Sequence, residues 1–172
     1  MESLDVDPLS VDVAALADAA GADDELRAAV GHERDDWLDL LLSTKIAPSF
    51  PPDRLAIITH YPASQAALAR LCPQDTQVAD RFEVFLGPIE LANGYVELTD
   101  AEEQAQRMRR DNEQREHRGR QQRPIDSALL MALEHGLPAC AGVAMGFERL
   151  QMIHDDTHDI RDVITFAFGD SE

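Results

Sequence analysis

Three glutamates recur at intervals of seven in the stretch RFEVFLGPIELANGYVE, residues 81–97. They are Glu83, Glu90 and Glu97, and Asn93 and Tyr95 lie between the last two. Carboxylates that alternate with apolar residues can form the solvated face of a strand, or they can line a polar pocket. Asn-Gly is a poor strand-forming pair, which favours the pocket because an ordinary solvated strand has no need of it. The spacing alone leaves both interpretations open.

Two short strands around a Gly87-Pro88 turn are predicted to position these side chains. Side chains alternate along a strand, so Asn93, Tyr95 and Glu97 are expected to share one face. Glu90 has the opposite parity. It can join the same pocket only if the strand bulges near residues 92–94, where a glycine makes a bulge inexpensive.

The flanking sequence predicts an α+β domain, with helices packed on an antiparallel sheet. Residues 1–50 read as a helical segment, and residues 54–172 as the sheet with its remaining helices. An almost wholly apolar run at 54–61 predicts an interior strand, and 81–97 predicts the hairpin. A polar helix follows near 100–118, then an amphipathic helix at 125–135. Small and apolar residues at 139–146 predict a strand leading into a helix at 147–153, and 164–168 predicts a closing strand.

The composition narrows the class of protein. The net charge of −18 argues against a general nucleic-acid binder, which needs a basic face. The two cysteines, Cys72 and Cys140, are too few for a disulfide framework, which favours a cytoplasmic protein. The acidic N-terminus has no apolar segment typical of a signal peptide. No apolar run approaches the ~20 residues that span a bilayer, so no membrane association is expected.

The segments GVAMGFERLQM and IRDVITF together resemble the third signature motif of class II aminoacyl-tRNA synthetases. FEVFLGPIELANGYVELTDAEEQAQR resembles the preceding segment of the lysine-specific branch. THYPASQAALA, and Ala144 within GVAMG, are more similar to the shorter relatives that ligate (R)-β-lysine to elongation factor P than to lysyl-tRNA synthetases. The resemblance covers essentially the whole chain.

This resemblance implies a function and a set of site residues. The family activates an amino acid with ATP and Mg²⁺, and the resemblance implies transfer of the product to elongation factor P rather than to tRNA. The implied catalytic residues are Glu83, Glu90 and Arg149. Glu83 and Glu90 would hold Mg²⁺. The implied ATP-binding residues are Glu83, Glu90, Gly142, Gly146 and Arg149. The implied pocket for lysine or (R)-β-lysine is lined by Asn93, Tyr95, Glu97 and Ala144.

The first and second family motifs have no counterpart here, so the chain resembles the C-terminal half of the ligase. The catalytic domain is then expected to be incomplete on its N-terminal side. The isolated chain is expected not to form the adenylate. For the full-length family, the resemblance also implies a homodimer. Two alternatives remain, a lysyl-tRNA synthetase and a non-catalytic paralogue that binds an amino acid or a partner. The His- and Asp-rich segment 154–159 is interpreted as a solvated loop rather than a metal site.

Overall fold

The computed structural model describes residues 7–167, which contain helices and a sheet of five strands. The helices are α1 (Val13–Ala20), α2 (Asp24–Val30), α3 (Arg34–Leu41), α4 (Ala101–His117), α5 (Ser127–His135) and α6 (Phe147–His154). The strands are β1 (Leu55–Pro62), β2 (Leu71–Cys72), β3 (Asp75–Leu86), β4 (Ile89–Val96) and β5 (Ala141–Met145). The sheet order is β1-β3-β4-β5, and β2 pairs antiparallel with β3. The predicted α+β class is confirmed.

The chain divides into two compact units. The first unit contains the chain up to Thr59, Phe82–Asn93 and the chain from Val143 onward. The second unit contains His60–Arg81 and Gly94–Gly142. Strands β1, β3, β4 and β5 each contribute residues to both units. Within the described part of residues 1–50, the α-helices are α1, α2 and α3.

The helices of the first unit have well-defined ends and their own apolar core. The Asp12 side chain accepts a hydrogen bond from the Ala15 amide at 2.8 Å, which starts α1, and α1 ends at Gly21 in the left-handed region. Trp37 and Leu16 are almost fully buried together. The helix α3 then continues as a π-helical turn, Leu42–Ile46. Burial of one apolar face is therefore what holds this short-helix segment together.

A second apolar cluster joins the end of this helical segment to the hairpin. Phe50 and Phe85 are buried with ring centroids 5.5 Å apart, and Ile58 of β1 packs against them. Gly87 in the tight turn between β3 and β4 has a φ of 53°, a conformation that favours glycine. The Gly87 amide donates to Pro51 O at 3.3 Å. The predicted hairpin is confirmed, and β3 starts earlier than predicted.

Two strand predictions in the first unit were wrong. Strand β1 was expected in the sheet interior, but it is an end strand, and Leu55 and Ile57 are exposed while Ala56 and Ile58 pack inward. The continuous apolar run was therefore an alternating strand with an uncovered face. Residues 164–166 form bends and residue 167 has no regular structure, in place of the expected closing strand, and residue 168 lies outside the described residues.

The second unit has a core of small residues. Ala66, Ala69 and Ala79 are fully buried, and Tyr95 packs against them. Arg107 of α4 donates hydrogen bonds to the carbonyls of Ala67 and Ala69. Among the described helices of the chain, none is both long and apolar enough to cross a membrane.

Candidate functional site

A cavity of about 760 Å³ in the first unit brings together three of the predicted site residues. Glu83 of β3, Glu90 of β4 and Arg149 of α6 all line it. Its other polar lining includes Ser43 of the π-helical turn and His158 of the C-terminal segment. With Asp39 and Asp159, four acidic residues and one arginine thus line one space that is large enough for a small-molecule ligand.

The junction between β5 and α6 places Arg149 at this cavity. Gly146 is the N-cap of α6, and its amide donates to Leu91 O of β4 at 2.9 Å. Arg149 therefore stands in the first turn of the helix, where the helix dipole favours acids over bases. A base at this position needs an anion nearby to compensate for the unfavourable dipole.

Glu90 supplies that anion. Arg149 Nη1 donates to the Glu90 carbonyl oxygen at 2.8 Å, and lies 3.6 Å from Glu90 Oε2. The Arg149 side chain is nevertheless 48% exposed, so a ligand can still reach its planar guanidinium group. Such a guanidinium can stack on an aromatic ring or donate to phosphate oxygens.

Gly146 gives Arg149 room to lie across the start of the helix. A Cβ on Gly146 would come within 3.2 Å of Arg149 Cδ and 3.4 Å of Arg149 Cγ. The shorter distance is tighter than most Cβ contacts, so with a side chain at residue 146 the arginine would have to shift by a few tenths of an ångström. Ala144, two residues earlier on β5, is exposed.

Glu83 and Glu90 have the chemistry to hold a divalent cation together with a phosphate ligand. Glu83 is buried to 8% exposure, and both carboxylates reach the same cavity. Within residues 7–167 there is no group of three or more side chains that could hold a metal by itself. Mg²⁺ is commonly bound by one or two carboxylates plus substrate phosphates, so the pair fits that ion when a nucleotide supplies the remaining oxygens.

The second unit holds Tyr95 and Glu97 of the predicted site. It also holds an aromatic residue, Tyr61, and a basic residue, Arg81, that were not predicted to belong to the site. The Arg81 guanidinium lies 4.4 Å from the Tyr61 ring centroid, and donates to Gln65 O at 2.8 Å. Burial raises the pKa of the Tyr95 hydroxyl, the Glu97 charge raises it further, and the Arg81 charge opposes them. The Glu97 carboxylate therefore lies close enough to the Tyr95 hydroxyl to act on it electrostatically.

Glu97 directly follows β4, and its backbone is paired with a neighbouring segment on each side. Its amide donates to Cys140 O at 3.0 Å, and it forms an antiparallel bridge with Ala69. A Cβ added to Gly142 would lie only 2.9 Å from Glu97 Oε1. The carboxylate thus rests directly against the backbone of β5.

Comparison with known proteins identifies the family. A family model for tRNA synthetases class II (D, K and N) matches residues 40–169. The chain belongs to the class II tRNA synthetase family. The matched range, residues 40–169, includes every predicted site residue, from Glu83 to Arg149.

Curated relatives of this class II synthetase chain carry a more specific name. The proteins from Yersinia enterocolitica, Pectobacterium carotovorum and Klebsiella pneumoniae are each named elongation factor P (R)-β-lysine ligase. Their identities to the chain are 47%, 46% and 48%. The matches cover 98%, 97% and 95% of the chain, but 52%, 52% and 51% of the relatives. The chain spans about half the length of the curated relatives it matches.

The predicted site residues of this class II synthetase chain fall in both units. The first unit holds Glu83, Glu90, Asn93, Ala144, Gly146 and Arg149. The second unit holds Tyr95, Glu97 and Gly142. Strand β4 runs without a break from Ile89 to Val96, and the predicted bulge within it stays a prediction.

Sequence reasoning gave no role to Tyr61 and Arg81, although Tyr61 lies inside one segment that carries the resemblance and Arg81 directly precedes another. A usable signal was present for Arg81. It has the same strand parity as Glu83, so an interior-facing position could have been assigned to it.

Proposed function

We propose that the chain supplies nucleotide- and amino-acid-binding elements of an ATP-dependent ligase. The ligase activates lysine or (R)-β-lysine and transfers it to a lysine of elongation factor P. The observation that carries the nucleotide part is the convergence of Glu83, Glu90 and Arg149 on one cavity. The names of relatives at 45–48% identity support the choice of amino acid and acceptor.

In the proposed reaction, a carboxylate oxygen of the amino acid attacks the α-phosphorus of ATP. A mixed anhydride forms and pyrophosphate leaves. The amine of the acceptor lysine then attacks the carbonyl carbon, an amide bond forms, and AMP leaves. Both partners of the first step are anions, so bringing them together requires charge neutralisation.

Glu83 and Glu90 would hold the Mg²⁺ that neutralises the phosphates of bound ATP. Arg149 adds a further positive charge that is already oriented by the Glu90 carbonyl. An arginine held in place before the ligand arrives loses little side-chain entropy on binding. These residues therefore bind and orient the nucleotide.

Tyr95 and Glu97 would face the amino acid. The Glu97 carboxylate is suited to a substrate ammonium group, and the contact is a charge-assisted hydrogen bond. Asn93 of β4 and Ala144 of β5, both in the first unit, are likewise proposed to contribute to amino-acid binding. In this arrangement the carboxylate selects for a basic amino acid, and neutral amino acids leave it unpaired.

Isothermal titration of the 172-residue chain tests the binding proposal directly. We expect Mg·ATP to bind the wild type and to bind Glu90→Gln at least about tenfold more weakly, because a charged ligand is lost. Glu102→Gln, on the exposed face of α4, is the matched control and should bind like the wild type. Equal affinity of the wild type and Glu90→Gln for Mg·ATP would contradict the proposal.

Acceptor choice and catalysis need separate assays. ATP–pyrophosphate exchange with lysine and with (R)-β-lysine measures adenylate formation. Transfer of labelled amino acid to elongation factor P, and not to tRNA, supports the proposed ligase. Transfer to tRNA instead favours aminoacylation, and amino-acid binding without exchange favours a non-catalytic role or a chain that needs further elements.

A further inference from the structure

The Glu97 carboxylate occupies the space beside the Gly142 backbone that a side chain at residue 142 would need. The position that a Cβ would occupy on Gly142 is 2.9 Å from Glu97 Oε1. Real Cβ contacts essentially never fall below 3.0 Å. Any side chain larger than hydrogen at residue 142 would therefore push the carboxylate away.

To make room for a side chain at residue 142, the Glu97 side chain would have to move, rather than the Glu97 backbone. The Glu97 amide is bonded to Cys140 O at 3.0 Å, and its backbone pairs with Ala69 across the strand. Strand pairing on both sides restrains the backbone, whereas rotation about side-chain bonds is inexpensive. A change at residue 142 is thus converted into movement of one carboxylate.

Backbone conformation does not explain the glycine. Gly142 lies outside the left-handed region, in contrast to Gly87 with its φ of 53°. A residue with a Cβ can adopt the backbone of a regular strand, and usually stabilises it. The requirement for glycine at 142 is therefore the space that the Glu97 carboxylate occupies.

We propose that Gly142 is a positioning residue that sets where Glu97 presents its carboxylate to the ammonium group of the amino acid. This inference rests on the proposed function of Glu97. It gives Gly142 a role in amino-acid recognition, whereas the sequence had suggested contact with the nucleotide. A charge-assisted hydrogen bond needs its two heavy atoms about 2.7–2.9 Å apart, so a displaced carboxylate binds the ammonium more weakly.

A double-mutant cycle on the 172-residue chain tests this coupling. We expect Gly142→Ala to weaken lysine or (R)-β-lysine binding by about tenfold or more. Combined with Glu97→Asp, whose shorter side chain avoids the added methyl group, Gly142→Ala should cause little further loss. The affinity for Mg·ATP should stay unchanged throughout. Ala141→Ser, which changes the opposite side of the same strand, is the control and should bind like the wild type.

A second measurement does not depend on ligand binding. Because the Glu97 charge acts on the Tyr95 hydroxyl, moving that carboxylate should change the Tyr95 titration midpoint. NMR of ¹³C-labelled tyrosine measures it, and Tyr61→Phe assigns the two resonances. We expect a changed midpoint in Gly142→Ala and an unchanged one in Ala141→Ser.

The two measurements separate the possible failures. A wild type that binds neither amino acid refutes the proposed function, while the Tyr95 titration still decides whether Gly142 places Glu97. An unchanged Tyr95 midpoint in Gly142→Ala overturns the positioning role. Additive losses in the double mutant, or a loss confined to Mg·ATP, overturn it as well.

Discussion

Replacement of Arg149 separates a structural role of this side chain from a role in nucleotide binding. Arg149→Ala removes a 2.8 Å hydrogen bond to Glu90 O and an ion pair at 3.6 Å. The Arg149 and Glu90 side chains are 48% and 39% exposed, so solvent screens the pair and its contribution to stability is about 0–1 kcal/mol. The hydrogen bond adds about 1 kcal/mol. At about 2–4 °C per kcal/mol for a chain of this size, the melting temperature should fall by only a few degrees.

The effect on Mg·ATP affinity should be larger. A lost hydrogen bond between an arginine and a charged ligand costs about 1.5–3 kcal/mol, which corresponds to a roughly 10- to 100-fold weaker affinity. Arg149→Lys keeps the charge but loses the planar head, so we expect an intermediate affinity.

Thermal unfolding and isothermal titration measure the two effects on the same samples. Arg54→Ala is the matched control, because Arg54 is exposed in the same unit and its contact with Asp53 is 3.5 Å. It should change neither quantity appreciably. A Mg·ATP affinity for Arg149→Ala equal to that of the wild type would refute the reasoning. So would a large stability loss that accounts for the weaker binding.

Three further outcomes follow from burial and charge. Leu16→Ala should lower the free energy of unfolding by about 2–5 kcal/mol in denaturant titrations, because Leu16 is fully buried, whereas the exposed Leu137→Ala should change it by less than about 0.5 kcal/mol. Hydrogen bonds from Arg161 hold the pKa of Asp159 at about 2, so NMR should show this carboxyl titrating nearer its ordinary value of 3.8 in Arg161→Gln. Burial raises the pKa of Tyr95 above its ordinary value of 10.0, so stability should fall as the pH rises above that value, and less steeply in Tyr95→Phe.

Each of these outcomes has a contradicting result. Equal losses for the two leucine variants would mean that the helical core does not contribute as its burial implies. For Asp159 the depressed pKa supplies stability above pH 3.8 that is lost as the pH falls toward about 2, so an Arg161→Gln chain with the same acid sensitivity would contradict the pairing. An identical alkaline stability profile for Tyr95→Phe would contradict the burial of the hydroxyl.

Local sequence signals predicted those parts of the fold that local chemistry determines. The hairpin was predictable because Gly87-Pro88 interrupts two alternating runs, and only glycine readily adopts the positive φ of that turn. The N-cap of α4 was less predictable, because the Asp100 side chain, rather than that of the neighbouring Thr99, accepts the hydrogen bond from the Glu103 amide. Both residues are good caps, and the sequence offers no physical basis for choosing between them.

Properties that depend on distant segments were less predictable. An apolar run such as that of β1 is compatible with an interior strand or with an end strand that has an uncovered face. Val143 and Met145 of β5 are likewise 62% and 60% exposed on the strand at the other end of the sheet order. Whether such residues are covered depends on which segments pack against them, and periodicity within the strand does not contain that information.

The burial of Glu83 bears directly on the choice that spacing left open for the hairpin. A solvated acidic face would keep its carboxylates in water, where they need no compensation. Glu83 is only 8% exposed, and burying a carboxylate costs several kcal/mol unless polar or charged groups compensate for it. Its neighbours along the cavity wall include Arg149, and a bound cation would add a stronger counter-charge. A buried carboxylate that lines a cavity is better explained by a ligand than by solubility. Glu83→Gln should therefore weaken binding of Mg·ATP, and an affinity equal to that of the wild type would contradict this reasoning.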